Sequence, residues 1–311
     1  MRLKSLVTVI ALLITLTVSS AKAAEFEMVE YSAQVKLQWL AAAGIPEAKT
    51  FLKKLNKPNI YSRENLKDFD RIEMVNSVYE EISYASVNHF IKSNGYKNVF
   101  DIACSYSPRV LNIVKGGGHY IGAELAAVSL TATNLVRSSL DKKYHNNFYY
   151  SAVPVENEEL MLGASSDLKG KICIVENGLM VYLTDERRDS MLRNIREILK
   201  DHGGCFITSD FTANKCFSGT AAALYGADAQ TLCNETQKLY EDTLGDKLFV
   251  DTFKSDAEAI AYLKSFGFNV ERIPLLPVNY KLYSYAKMTD EQVQKIRTLT
   301  SQDYLWVLTV K

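Results

Sequence analysis

The chain has 311 residues, 47% apolar and 23% charged, a globular mix rather than a disordered one. Its 36 basic and 36 acidic residues cancel, so it lacks the basic field of a general nucleic-acid binder. Six prolines and 15 glycines argue against a collagen-like, Pro-rich or many-turned all-β chain.

Arg2 and Lys4 precede an apolar run from Leu6 to Val18, which ends in the small residues around Ala21 and Ala23. This is the layout of a secretory signal peptide cleaved after Ala23. The run is shorter than the roughly 20 residues of a membrane-spanning helix. The expectation is a periplasmic or secreted protein with no membrane span in its mature part; with a misassigned leader it would stay in the cytoplasm. Loss of residues 1–23 removes Arg2, Lys4 and Lys22 and no acid, leaving 33 basic against 36 acidic residues.

Helices are expected over Tyr31–Ala43, Glu47–Leu55 and 71–94, the last from the spacing of Ile72, Val75, Tyr79, Ile82 and Phe90. These make a helical N-terminal region, 24–94, packing on a core domain, 95–311. From there strands and helices alternate. Strands are expected at Asn98–Ala103, His119–Glu124, Asn147–Val153, Lys171–Glu176 and Cys205–Asp210. Between them lie helical segments at Pro108–Val114, Leu125–Leu140 and Thr184–Lys200. The last has cap oxygens at Thr184 and Asp185, an apolar stripe through Met191, Leu192, Ile195, Ile198 and Leu199, and a stop at Gly203 and Gly204. Residues 211–250, rich in Ala, Gly, Thr and Asn, break the rhythm, with a helix near Ala229–Leu244. Helices at Ala257–Phe266 and Asp290–Thr298 and strands at Phe268–Ile273 and Tyr304–Val310 close the chain. The alternation predicts an α/β fold, a Rossmann-like doubly wound and mostly parallel sheet of about seven strands.

No C-x-x-C occurs, and His89, His119, His145 and His202 show no metal spacing, so no metal is expected. Cys104 and Cys173 read as buried thiols, while Cys205, Cys216 and Cys233 offer one disulfide.

In a doubly wound sheet, ligands bind beyond the carboxyl ends of the strands at the switch point. The first strand leads into Asp101-Ile-Ala-Cys-Ser-Tyr-Ser-Pro-Arg109, and the second ends in Glu124, 23 residues after Asp101. A carboxylate there is placed to accept from ribose hydroxyls, and Ala103, Cys104 and Ser105 are small enough for close backbone approach. The G-x-G-x-x-G pattern is absent, which speaks against a dinucleotide.

The segment NVFDIACSYSPRVL followed by HYIGAEL resembles the S-adenosylmethionine-binding core of class I methyltransferases, most closely the leucine carboxyl methyltransferase family of O-methyltransferases. The stretch IVENGLMVYLTDERRDSMLRNIREILKDHGGCFITSDF and the closing FKSDAEAIAYLKSFGFNVERIP…LWVLTVK are similar to that family in order and spacing. The resemblance spans about residues 70–311. It implies S-adenosyl-L-methionine as cofactor, with Asp101 to Ser105 around its methionine and ribose part. Glu124 would take the ribose hydroxyls and Leu125 would flank the adenine. Asn177, Gly178 and Leu179 would face the sulfonium end, Tyr182 would close the wall, and 211–250 would be a substrate-covering lid insertion. The chain has Ser105 where the family usually has Gly, Asn177 where it often has Glu, and no acid in Ser151–Val155 after the third strand. Arg63 and Arg71 align poorly with the family's carboxylate-gripping Arg.

The implied reaction is methyl transfer to a carboxylate or hydroxyl of a small molecule or peptide. A carboxylate acceptor is ionised at neutral pH and needs no base. For a hydroxyl acceptor a base helps, and the candidates are His145, Asp210 and Tyr182, each with a structural alternative: a loop residue, a strand-end cap and wall packing. No catalytic residue is assigned. Arg109 could hold an acceptor carboxylate through its fork, or serve in a surface ion pair. A reading of a different class, favoured by the leader and the altered positions, is a degenerate methyltransferase fold that works as an exported binding or interaction protein.

Overall fold

The computed structural model describes residues 30–64, 66–244 and 253–310. The leader reading for residues 1–23 lies outside the described residues. Among the described residues, no helix is long and apolar enough to cross a membrane.

Helix α1 covers residues 30–43, followed by α2 (Pro46–Leu55) and α3 (Phe69–Ser93). The sheet then begins. Strand β1 (Asn98–Ile102), α4 (Arg109–Lys115), β2 (His119–Glu124), α5 (Ala126–Arg137) and β3 (Phe148–Ala152) run outward to one edge. The chain returns through α6 (Glu158–Ser165) to β4 (Ile172–Glu176), on the other side of β1. It continues through α7 (Asp185–His202) to β5 (Gly204–Thr208), then α8 (Ala213–Tyr225), α9 (Ala229–Leu244) and α10 (Asp256–Ser265). Strand β6 (Asn269–Pro274), α11 (Asp290–Gln302) and β7 (Tyr304–Thr309) complete it. The order is β3-β2-β1-β4-β5-β7-β6, with β7 antiparallel to both neighbours. This is the expected Rossmann-like sheet.

Alternation along each strand builds two cores. Val99, Tyr120, Val175 and Ile207 face α1–α5, α8 and α11, whereas Phe100, Ile102, Ile121, Ile174 and Phe206 face α6, α7 and α10. Every residue of β1 and β4 is buried, as a central parallel strand covered on both faces requires. Because β2 and β4 flank β1 on opposite sides, the connections leaving β1 and β4 diverge at their carboxyl ends, and the crevice lies there.

Two helices were not legible as such. Helix α6 carries an N-cap at Asn157, whose side chain accepts from the Leu160 amide at 3.0 Å, with Glu158 and Glu159 in its first turn. Helix α8 occupies the start of the Ala/Gly/Thr-rich stretch. Its small residues serve close packing: a Cβ on Gly219 would meet Leu299 of α11 at 2.7 Å. Helices α8 and α9 pack on α3. The cysteine expectation also changes. All five are free thiols, and Cys205 sits in register beside Cys173 on the neighbouring strand, away from Cys216 and Cys233.

Gly203 and Gly204 form the tight passage from α7 into β5, with φ of +68° and +106°. A Cβ on Gly204 would collide with the Ile172 carbonyl oxygen. Gly204→Ala is expected to cost about 2–5 kcal/mol from left-handed strain plus overpacking. Gly170, at φ +85° in open space, provides the control: Gly170→Ala should cost about 1–2 kcal/mol. Urea denaturation of both variants checks the difference.

Candidate functional site

The loop leaving β1 is unusual backbone. Ala103 and Ser105 take φ of +49° and +54°, the left-handed region that favours glycine. Glu124, at the end of β2, holds this loop. Its Oε1 accepts from the Ser105 amide at 2.6 Å and its Oε2 from the Leu125 amide at 2.9 Å. Burial pushes the Glu124 carboxyl up to about 7, against the pull of these two amides and of Lys36. Cys104 lies buried beneath the loop, its thiol pushed well up by burial and then by the Asp101 and Glu124 carboxylates. Tyr150 lies over Gly122, where a Cβ would clash with the ring, and closes the side toward β3.

Asp101 is committed inward. Its Oδ2 accepts from Arg109 at 2.5 Å and from the Tyr120 hydroxyl at 2.9 Å. Arg109 also donates from Nε to Asn88 at 2.8 Å, and its guanidinium lies 5.5 Å from the Tyr84 ring centre. Both side chains of the pair are at most 5% exposed. Arg109 is therefore neither a surface residue nor an available fork. It neutralises the carboxylate at the floor of the crevice.

The opposite wall is the loop after β4. Asp210 accepts from the amides of Gly178 at 2.7 Å and of Leu179 and Met180 at 3.1 Å. Instead of capping its own strand end, it caps this loop, and these bonds leave it poorly placed to act on a substrate. Glu176, fully buried, accepts from the Leu179 amide at 2.7 Å and the Thr208 hydroxyl at 2.9 Å. Burial, and then the neighbouring Asp210, push its carboxyl well above the ordinary range. The Asn177 side-chain oxygen faces the Ser209 hydroxyl at 3.3 Å, and its carbonyl accepts from Lys36 Nζ at 2.8 Å. Tyr182 packs beside Trp39, Tyr61 and Tyr240. His145 is bound to the Leu140 carbonyl at 3.2 Å and stacks edgewise on Phe148, on the β3 side.

Between the walls lies a small cleft. Asp101, Ala103, Cys104, Ser105, Arg109 and Asn177 line it, together with Tyr106 and Ser107. Leu125, Gly178, Leu179, Tyr182 and Asp210 do not line it, and Glu124 acts from behind the loop. The remaining wall comes from Lys36, Leu37 and Leu40 of α1 and Ser83 and Tyr84 of α3. These five lie outside the motif segments. Lys36 had one sequence signal, as a cation between the buried Val35 and Leu37.

No protein-family profile matches the chain, and no curated protein sequence matches it. Solved structures do resemble it. A DUF574 family protein from Streptomyces avermitilis is 14% identical, with a TM-score of 0.51 over 90% of this chain and 97% of that one. A putative O-methyltransferase from Nostoc punctiforme is 13% identical over 91% of this chain and 72% of that one, with a TM-score of 0.46. Magnesium protoporphyrin IX methyltransferase from Synechocystis, solved with bound S-adenosylhomocysteine, is 12% identical over 86% and 95%, with a TM-score of 0.45. The seven-stranded, mostly parallel sheet gives the chain a Rossmann-like fold, which the Streptomyces avermitilis structure shares.

Two stability measurements check this geometry. Arg109→Met leaves Asp101 buried without its counter-charge and should cost about 3–5 kcal/mol. Ser105→Gly relieves left-handed strain and should stabilise by about 0.5–1 kcal/mol after glycine's own entropy is counted. The pH dependence follows from Glu124. Folded, it keeps its proton up to about 7; unfolded, it releases it near 4.5. Its contribution to stability is therefore fully present below pH 4.5 and lost as pH rises through about 7, roughly 3 kcal/mol in all. Glu124→Gln should flatten that part of a stability–pH curve measured by denaturation.

Proposed function

We propose that the protein binds S-adenosylmethionine in the cleft between β1 and β4 and transfers its methyl group to an oxygen of a small molecule or peptide. The observation that carries this reading is convergence. Residues from separate motif segments, Asp101, Ala103, Cys104 and Ser105 from one and Asn177 from another, meet around one cleft at the switch point of the sheet. The resemblance to O-methyltransferases of the leucine carboxyl type supports the choice of oxygen.

The residues suit that ligand. Glu124 uses one lone pair of each oxygen on the loop amides and retains others for ribose hydroxyls. Lys36 brings a cation to the rim, where a methionine carboxylate could meet it. The buried Asp101–Arg109 pair keeps the floor neutral overall. When bound, the sulfonium supplies an activated methyl group for in-line displacement. The chain's task is to align the acceptor and exclude water.

A second reading has its own observation. Ala103 and Ser105 hold left-handed backbone without glycine's freedom, which fits a cleft no longer maintained for catalysis. In that reading the protein is a binding or interaction module. In both readings we propose export through the leader at residues 1–23, so the mature chain would begin at Ala24, and its intact mass would show this.

Calorimetry with S-adenosylhomocysteine tests the reading. Binding with Kd of about 1–100 μM is expected, with Glu124→Ala weakening it about tenfold or more through loss of charge-assisted bonds. A folded sample that binds nothing at millimolar ligand contradicts the proposal. Binding that appears only in Ala103→Gly/Ser105→Gly supports the second reading.

A further inference from the structure

Strands β4 and β5 each carry a cysteine at their second position, and the register sets Cys173 directly beside Cys205. In-register residues of neighbouring strands share a face of the pleat, and both cysteines belong to one core, together with Val175 and Ile207. Neighbouring strands lie about 4.8 Å apart, inside the Cα separation of about 4.4–6.8 Å that a disulfide spans. The two thiols are hydrogen-bonded to each other, and the Tyr96 hydroxyl is bonded to Cys205 as well. The other three cysteines lie on other elements: Cys104 in the loop after β1, Cys216 in α8 and Cys233 in α9. The pair sits one residue inside the amino ends of its strands. Exposed Lys171 and half-buried Gly204 come just before it, and Tyr96, half-buried and stacked on Phe90, lies against Cys205.

From this juxtaposition we infer that Cys173 and Cys205 form a disulfide site, oxidised to a cross-strand bond that ties β4 to β5. The site is independent of methyl transfer, because the pair stands at the amino ends of the strands and the cleft at their carboxyl ends. The co-reactant is itself a disulfide, that of a small molecule such as glutathione disulfide or of a dithiol oxidase. The Cys205 thiolate attacks one of its sulfurs, which releases one thiolate and leaves a mixed disulfide on Cys205. The Cys173 thiolate then attacks the Cys205 sulfur and releases the second. One S–S bond breaks and one forms, two electrons pass to the co-reactant, and the two cysteine protons end on its two thiols. The hydrogen bonds assign the roles. Donation from Cys173 lowers the Cys205 thiol, burial opposes this, and Tyr96 lowers it further, whereas burial holds the Cys173 thiol well up. Cys205 therefore starts the exchange and Cys173 resolves it. Displacement of Tyr96 uncovers the Cys205 sulfur, and a chain still folding offers both thiols. The bond closes a loop that contains α7 and the Gly203–Gly204 passage, and so restricts the unfolded chain. The export proposed above would bring the chain to such an oxidant.

The test refolds the full chain in glutathione disulfide and counts its thiols in denaturant. Reduced protein should give five thiols and oxidised protein, with two consumed, three. The intact mass should fall by two hydrogens, and proteolysis should yield a peptide pair that joins Cys173 to Cys205. The oxidised form should melt about 5–10 °C above the same protein reduced with dithiothreitol. Cys205→Ala and Cys173→Val should each keep all of their remaining thiols under the same treatment and melt alike with and without dithiothreitol. Thiol count, peptide map and melting are all read on the parent chain, so the test stands even where a variant fails to fold. Three results would overturn the assignment: five thiols in the folded, treated parent, a cross-link that joins other cysteines, or an oxidised form that melts no higher than the reduced one.

Discussion

Both oxygens of Glu124 are bonded to backbone amides, Ser105 after β1 and Leu125 at the entry to α5. This carboxylate ties together the ends of two adjacent strands and holds Ser105 in left-handed backbone that a serine would not otherwise choose. The loop it pins forms one wall of the cleft. The Asp101–Arg109 pair beneath the loop keeps its floor free of uncompensated charge. Asp210 repeats the device on the other wall, where one carboxylate gathers three amides of the turn after β4. The cleft thus owes its shape to strand-end carboxylates bonded to loop amides, set where the crossovers diverge.

The same arrangement explains how a chain without the usual loop glycine keeps a crevice in this place. Glycine would reach the left-handed region at little cost, while alanine and serine reach it against strain. A strained segment persists only when its surroundings over-determine it. Here they do so through the Glu124 clamp, the bond from the Ala103 amide to the Ala123 carbonyl at 2.8 Å, and the Ser107 amide on the Cys104 carbonyl at 3.1 Å. The clamp and the ligand would share the Glu124 lone pairs, so binding and loop geometry are linked through one side chain.

Much of the fold was legible because parallel strands announce themselves as short apolar runs. NVFDI, ICIVE and YLWVLT all became strands within a residue or two of their expected bounds. Helix α6 escaped because it is only eight residues long, though Asn157-Glu158-Glu159 was a readable start signal. Helix α8 escaped because Ala, Gly and Thr read as loop composition, whereas in space they let α11 approach. At the site, Asp101, Ala103, Cys104, Ser105 and Asn177 came from the motifs and do line the cleft. The inward turn of Asp101 and Arg109 depends on Tyr120 and Asn88, which are distant in sequence and show no pattern. Lys36 of α1 and Ser83 and Tyr84 of α3 belong to helices that precede the sheet and reach the cleft only by tertiary packing.

Glu124 is proposed to organise this cleft as a cofactor site. A crystal structure of the full chain grown with S-adenosylhomocysteine tests it most directly. The nucleoside is expected across the ends of β1 and β2, with its ribose hydroxyls on the Glu124 carboxylate and the Ser105 and Leu125 amide bonds retained. A cleft that stays empty at saturating ligand, or a ligand held elsewhere on the molecule, would contradict it.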